Sequence, residues 1–343
     1  LMSDDRSRGA FLVNADGRDQ VYLFDPSDNS YAPVIGLPVG RAGLGAFSPD
    51  NRQLAMTLNT ATSPSDIYTL AVSSDGLGHG AVTRWTASEV AGLDASLFVE
   101  PSLIHYPTFD SVDGEPRQIP AWVYKPKSKG PHPVIISIHG GPEGQFRPGF
   151  SSTFQQWIAD LGATVIAPNV RGSAGYGREY VQLDNGFKRE DSVRDIGALL
   201  DWIETQPDLD KDRVAVYGGS YGGYMVLASM VHYSDRLAAG VDIVGISNFV
   251  TFLENTEDYR RDLRRVEYGD ERDPEMRAHL ESISPSNQPE KITAPLLVVQ
   301  GENDPRVPAS EARQIVSAVR GTGQDVWFMS ALNEGHGLSL IHI

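Results

Sequence analysis

The residues best suited to chemistry lie at 214–226, Val-Ala-Val-Tyr-Gly-Gly-Ser-Tyr-Gly-Gly-Tyr-Met-Val. A strand-length apolar stretch runs into Gly218-Gly219-Ser220-Tyr221-Gly222, and an apolar helical stretch leaves it. This G-x-S-x-G pattern between strand and helix suits a sharp turn that lifts one serine hydroxyl clear of the backbone. Glycines two positions either side leave room for neighbouring chain. A hydroxyl is a poor nucleophile until a base takes its proton, and the base needs a carboxylate to orient it. Two later loops offer both. Gly301-Glu302-Asn303-Asp304-Pro305-Arg306-Val307-Pro308 follows the apolar run 296–300, and Asn333-Glu334-Gly335-His336-Gly337 follows 326–329. The order Ser220, Asp304, His336 leaves 304 − 220 = 84 and 336 − 304 = 32 residues between members, enough for one excursion and one helix.

Each choice has rivals. Of eight histidines, His79 and His105 precede or open the apolar strand runs, His232 and His279 fall in helical stretches, and His342 is in the tail. Only His336 sits in a glycine-flanked loop after the last strand run. Asp242 lies within its strand run, not at its exit, and Glu302 has one more bond to hold still than Asp304, so Asp304 is preferred as the acid. The bland alternatives are a glycine-rich turn around Ser220 and a surface histidine at 336. An acyl oxygen gaining charge also needs fixed donors. The N–H of Tyr221 is one source, and His139-Gly140-Gly141-Pro142, at the end of the run 134–138, is a second.

The elements that must position these residues can be read from periodicity. Strand-length runs at 103–106, 121–124, 134–139, 164–167, 214–217, 240–244, 296–300 and 326–329 alternate with helical segments, the signature of a mostly parallel α/β sheet. The clearest helix covers 191–205, where Val193, Ile196, Leu200 and Ile203 recur at spacings of three and four and Pro207 ends it. With a serine elbow the expected class is an α/β-hydrolase fold. Before about residue 98 the pattern is different. Short β-type runs separated by Asp16-Gly17, Asp25–Ser30, Ser48-Pro49-Asp50-Asn51 and Ser73–Gly76 read as antiparallel meanders with blade-like spacing. Two partial blades cannot close a ring of about four to eight, so an incomplete β-propeller is expected over 1–98 and the catalytic domain over 99–343.

Bulk composition excludes several classes. With 45 acidic and 29 basic residues, a formal charge of −16 and no basic run, the chain is a poor nucleic-acid partner. There is no cysteine, hence no disulfide, thiol nucleophile or cysteine zinc site. No apolar run nears the roughly 18 residues of a membrane span. Asp208-x-Asp210-x-Asp212 resembles the start of a calcium loop, but Arg213 and Gly219 stand where glycine and glutamate are needed. Gly172-Ser173-Ala174-Gly175-Tyr176-Gly177 lacks the frame of a phosphate cradle and reads as a loop over the site. No metal or cofactor is expected. The chain begins inside domain-like sequence, so a leader could have been lost; the expected compartment is the cytoplasm.

Taken together, His139-Gly140-Gly141-Pro142, the stretch Asn169-Val170-Arg171 with Gly172–Gly177, Gly218–Tyr224, Gly301–Pro308 and Glu334-Gly335-His336-Gly337 resemble the prolyl oligopeptidase family of serine peptidases, nearest its acylaminoacyl-peptidase and dipeptidyl-peptidase branches. Phe47-Ser48-Pro49-Asp50 and Asp66-Ile67-Tyr68 resemble that family's last propeller blade. The resemblance implies cleavage of short peptides through an acyl-enzyme, with the triad on Ser220, Asp304 and His336 and the oxyanion amides on Tyr221 and Gly141. It implies a substrate pocket within 249–268, with Phe249, Phe252 and Tyr259 as contacts, although aromatic residues there fit a core equally well, and leaves room for a homo-oligomer. An ester substrate on the same triad, or a silent binding protein on the same scaffold, are the competing readings. Against the family pattern, most of the propeller and the helix after the histidine are missing. The ending 338–343 resembles a translated sequencing adapter.

Overall fold

The computed structural model describes residues 1–90 and 92–338; the adapter-like residues 339–343 lie outside the described part. The chain divides into two compact units. One comprises Leu1–Ser102, Tyr124–Lys127 and Phe146–Leu161, and the other Leu103–Val123, Ser128–Gln145 and the chain from Gly162 onward.

The first unit holds two antiparallel sheets. Strands β1 (Gly9–Ala15), β2 (Arg18–Asp25) and β3 (Ser30–Pro33) form one, and β4 (Gly40–Phe47), β5 (Gln53–Thr60), β6 (Ser63–Val72) and β7 (His79–Arg84) a four-stranded meander. Alternation places Val21, Leu23, Leu54, Met56, Leu58 and Leu70 in one core. Of β4, only its end at Phe47, before the Ser48-Pro49-Asp50-Asn51 turn, is anticipated from sequence. Its glycines are the reason: side chains at Gly40 and Gly45 would collide with the main chain of Asn59 and Ala55 on β5, so the strand fits by lacking the apolar residues that mark strands. Asp66 is buried and tethers the strand ends. Burial alone would raise its pKa, but hydrogen bonds from Thr86, Arg84 and Ser88 outweigh this and hold it well below the carboxylate range. Helix α1 (Ser152–Leu161) also belongs here, through Gln155, which bonds the main chain of Ala61 and Val99.

The second unit is built on an eight-stranded sheet of β8 (Ser102–Val112), β9 (Glu115–Tyr124), β10 (His132–Ile138), β11 (Thr164–Pro168), β12 (Leu209–Gly219), β13 (Ala239–Ile243), β14 (Leu296–Gly301) and β15 (Val326–Ala331). Their order is β15-β14-β13-β12-β10-β11-β9-β8, and the six from β15 to β11 run parallel. The central strands are buried on both faces, as their continuous Val and Ile runs predict. Helix α2 (Arg178–Val181) is a single turn; α3 (Asp191–Glu204) matches the expected helix and buries Val193, Ile196, Leu199, Leu200 and Ile203. Helix α4 (Tyr221–Tyr233) is apolar on all sides and buried along most of its length. Helices α5 (Phe249–Asn255), α6 (Asp258–Tyr268), α7 (Pro274–Ser282) and α8 (Ala309–Gly321) complete the unit. This is the α/β-hydrolase fold, preceded by an incomplete propeller fragment.

Candidate active site

Strand β12 delivers Ser220 at the C-terminal edge of the parallel strands, and α4 begins at the next residue. Ser220 has φ 60° and ψ −120°, a conformation costing about 1–3 kcal/mol in a non-glycine residue. Its surroundings hold it there: Ser220 N–H donates to Ile243 O at 2.8 Å, and Ser220 O accepts from Gly223 N–H at 2.9 Å. The flanking glycines are required by space. A side chain at Gly222 would strike the carbonyls of Ile138 and His139, and one at Gly218 would strike Gly222 O.

Asp304 follows β14 and His336 follows β15, adjacent strands of the sheet. His336 Nδ1 lies 2.7 Å from Asp304 Oδ2, and the Asp304 side chain is fully buried. Asp304 Oδ1 accepts from the N–H groups of Arg306 (2.8 Å) and Val307 (3.1 Å), so the carboxylate is held by three donors. An acceptor at Nδ1 keeps the proton there and leaves Nε2 as the basic nitrogen. Glu302, the rival acid, is engaged by Arg313 and Ser330. Asp242 is buried on β13 beside Gly218, against Gly223 and Gly245, where burial pushes its carboxyl up to about 7. Among the described residues Ser220 Oγ has no hydrogen-bond partner; the structure brings Asp304 and His336 together but forms no Ser220–His336 hydrogen bond. Nucleophile–base contacts are commonly loose without substrate.

Neither the Tyr221 nor the Gly141 N–H has a partner among the described residues. Gly141 lies in the loop after β10 with φ 141°. That loop is tied at both ends to the stretch expected to cover the site: His139 Nε2 lies 2.8 Å from Ser173 Oγ, and Ala174 N–H donates to Gly144 O at 2.7 Å. Burial pushes the His139 imidazole toward its neutral form. The covering loop is itself anchored by buried Arg171, which donates to both carboxylate oxygens of Asp195 on α3.

The expected substrate contacts are not brought together. Phe249 and Phe252 are fully buried beneath the surface, Phe249 packing on Tyr224 and both on Tyr268, because α5 turns its apolar face into the core after the Asn248 cap. Tyr259 stands 72% exposed on α6. A cleft of about 240 Å³ does lie beside Gly141, lined by Glu143, Asn185, Leu263, Arg264, Val266 and Glu267. Leu263, Arg264, Val266 and Glu267 fall within the stretch 249–268 expected to hold the pocket, though none was singled out, and Glu143 and Asn185 lie outside it. The run 257–267, Glu-Asp-Tyr-Arg-Arg-Asp-Leu-Arg-Arg-Val-Glu, reads as a solvated helix, and only the i, i+3 spacing of Arg264 and Glu267 marks the pair.

An elbow serine, a buried acid–imidazole pair on neighbouring strand ends and two amides without partners among the described residues are thus set on an α/β-hydrolase fold. Residues 148–340, more than half of the chain, match the prolyl oligopeptidase family, and the chain belongs to that family. It is 35% identical over 218 residues to dipeptidyl aminopeptidase BIII of Pseudoxanthomonas mexicana, covering 62% of this chain and 31% of that protein. It is 28% identical to the uncharacterized peptidase YuxL of Bacillus subtilis over 97% of this chain and 49% of that one. The fold is similar to that of Pyrococcus horikoshii acylaminoacyl peptidase, with a TM-score of 0.78 at 22% identity over 98% of this chain and 51% of that one. The chain spans at most about half the length of these relatives.

Proposed function

We propose that the chain carries the catalytic apparatus of a serine peptidase that cleaves short peptides through an acyl-enzyme. Ser220 Oγ attacks the scissile carbonyl as His336 Nε2 takes its proton, the Tyr221 and Gly141 amides hold the oxyanion, and the imidazolium, steadied by Asp304, protonates the leaving amine. Water then repeats the sequence on the ester. The observation that carries this reading is the 2.7 Å link between His336 and a buried Asp304 already held by two backbone amides. Such an anchor suits a base that must keep one tautomer and one direction. The apolar side chains of Leu263 and Val266 in the cleft beside Gly141 suit a substrate side chain better than the buried Phe249 and Phe252 do. In this reading residues 1–98 are the last blades of a propeller and 99–343 the catalytic domain. Turnover of aminoacyl-nitroanilides against nitrophenyl esters, with Ser220→Ala as control, tests it. Amide hydrolysis abolished by the substitution is expected; hydrolysis of esters alone would make the protein an esterase and defeat the peptidase reading.

A further inference from the structure

The two amides assigned to the oxyanion belong to different elements, Tyr221 to the start of α4 and Gly141 to the loop after β10. A stable charge-binding site needs their separation fixed before substrate arrives. One residue of α6, Glu267, reaches toward both. Its main-chain oxygen accepts from Arg189 Nη2 at 2.6 Å, and its carboxylate pairs with Arg264. Arg189 is fully buried. It donates through Nη1 to Asp184 Oδ2 at 2.6 Å and to the Tyr221 hydroxyl at 3.2 Å, and its guanidinium lies over the Tyr268 ring. The Tyr221 hydroxyl is also 2.9 Å from Ser192 Oγ. On the other side Arg264 Nη1 donates to Gly141 O at 3.0 Å. The chain of contacts is therefore continuous from Tyr221 through Arg189, Glu267 and Arg264 to Gly141.

Burial makes this network stiff. Shifting any member leaves a buried charge or polar group without its partner, which costs far more than the shift gains. Gly141, at φ 141° and with no side chain of its own to pack, has only its main chain to be held by. Resting on the hydrolase reading above, we propose that Arg264, paired with Glu267, is a positioning residue: by anchoring the Gly141 carbonyl it restrains rotation about the Gly141 Cα, and so keeps the N–H on the other side of that Cα facing the same point as the N–H of Tyr221. It acts through Gly141 and not on the reacting atoms.

The test compares the full chain with Arg264→Gln and Arg264→Lys in kcat, in KM, and in affinity for a peptide aldehyde, which forms a tetrahedral adduct, against the matching product acid, which does not. Loosening one donor is expected to lower kcat about 10–100-fold in Arg264→Gln, short of the 10²–10³ seen when a donor is removed outright. KM and product affinity should hold within about twofold while aldehyde affinity falls with kcat. Arg264→Lys, which keeps the charge, should recover part of the loss. Hydrogen exchange at the Gly144 and Ala174 amides should quicken in Arg264→Gln while α4 stays protected, a readout independent of turnover. A rise in KM at constant kcat would make Arg264 a substrate contact and overturn the positioning role, as would unchanged kcat and exchange in a chain that is labelled normally at Ser220. A wild-type chain that neither turns over nor is labelled at Ser220 would instead overturn the hydrolase reading itself.

Discussion

Asp304 accepts from three donors with two oxygens, and that arithmetic sets its role. The two backbone amides occupy Oδ1, so Oδ2 is free to fix one imidazole nitrogen. An amide side chain would present an N–H where the imidazole N–H now points, or turn over and set it against the backbone donors. Asp304→Asn is therefore expected to leave the fold intact and lower kcat on the order of 10⁴-fold, the loss found when such a swap imposes the wrong tautomer on a catalytic histidine. Steady-state kinetics beside a thermal melt would check this; a loss below tenfold would remove Asp304 from the mechanism. Asp242 behaves differently at the same scale. Burial raises its carboxyl from 3.8 to about 7, with nearby Glu311 adding to the rise. The folded chain then holds a proton there that the unfolded chain releases near pH 4. Its contribution to stability is complete below that pH and is lost as pH climbs through about 7. Asp242→Asn should match the wild type in urea near pH 4 and exceed it on the order of 1–3 kcal/mol at pH 8. Equal denaturation midpoints at both pH values would contradict this.

Among elements, the elbow between β12 and α4 depends most on particular residues. The Gly222 position lies against the carbonyls of Ile138 and His139, at the end of the strand that leads to the Gly141 amide. Gly222→Ala should therefore push β10 and the elbow apart, lower activity at least tenfold, and destabilise by about 1–3 kcal/mol as an overpacked core site does. Activity and melting point should fall together, and a fully active, equally stable variant would show that the turn has slack. This elbow was legible in the sequence because its glycines and serine sit at fixed spacing between two apolar runs. The loops of Asp304 and His336 were legible for the same reason, each following a parallel strand. Strand β4 was not, since close approach to β5 demanded glycines where a strand reading looks for side chains. Helix α6 lies in the stretch expected to hold a pocket, but its pattern did not single out Arg264 and Glu267. Its charged residues signal solvent, yet Arg264 and Glu267 fold inward toward each other, a pairing that spacing alone cannot separate from a surface ion pair. Phe249 and Phe252 were legible as apolar, with pocket and core equally open, because a pocket wall and a packed helix face use the same side chains.

For the whole molecule, each unit buries its own core, and Ser220, Asp304 and His336, the proposed catalytic residues, all follow strand ends of one sheet. Parallel strands share one C-terminal edge, so residues 84 and 32 positions apart in sequence exit at the same edge, even though the chain makes an excursion through α5, α6 and α7 between β13 and β14. That is why the proposed triad can be scattered along the chain and still be held on rigid elements. No described helix is long and apolar enough to cross a membrane. The central claim is that Ser220 is the hydroxyl this architecture activates. The most direct measurement is peptide mapping by mass spectrometry after treating the full chain with a fluorophosphonate at neutral pH. A single adduct on the peptide containing Ser220, absent in Ser220→Ala and slowed in His336→Ala, is the predicted result; an adduct on another residue, or one that survives Ser220→Ala, would contradict it.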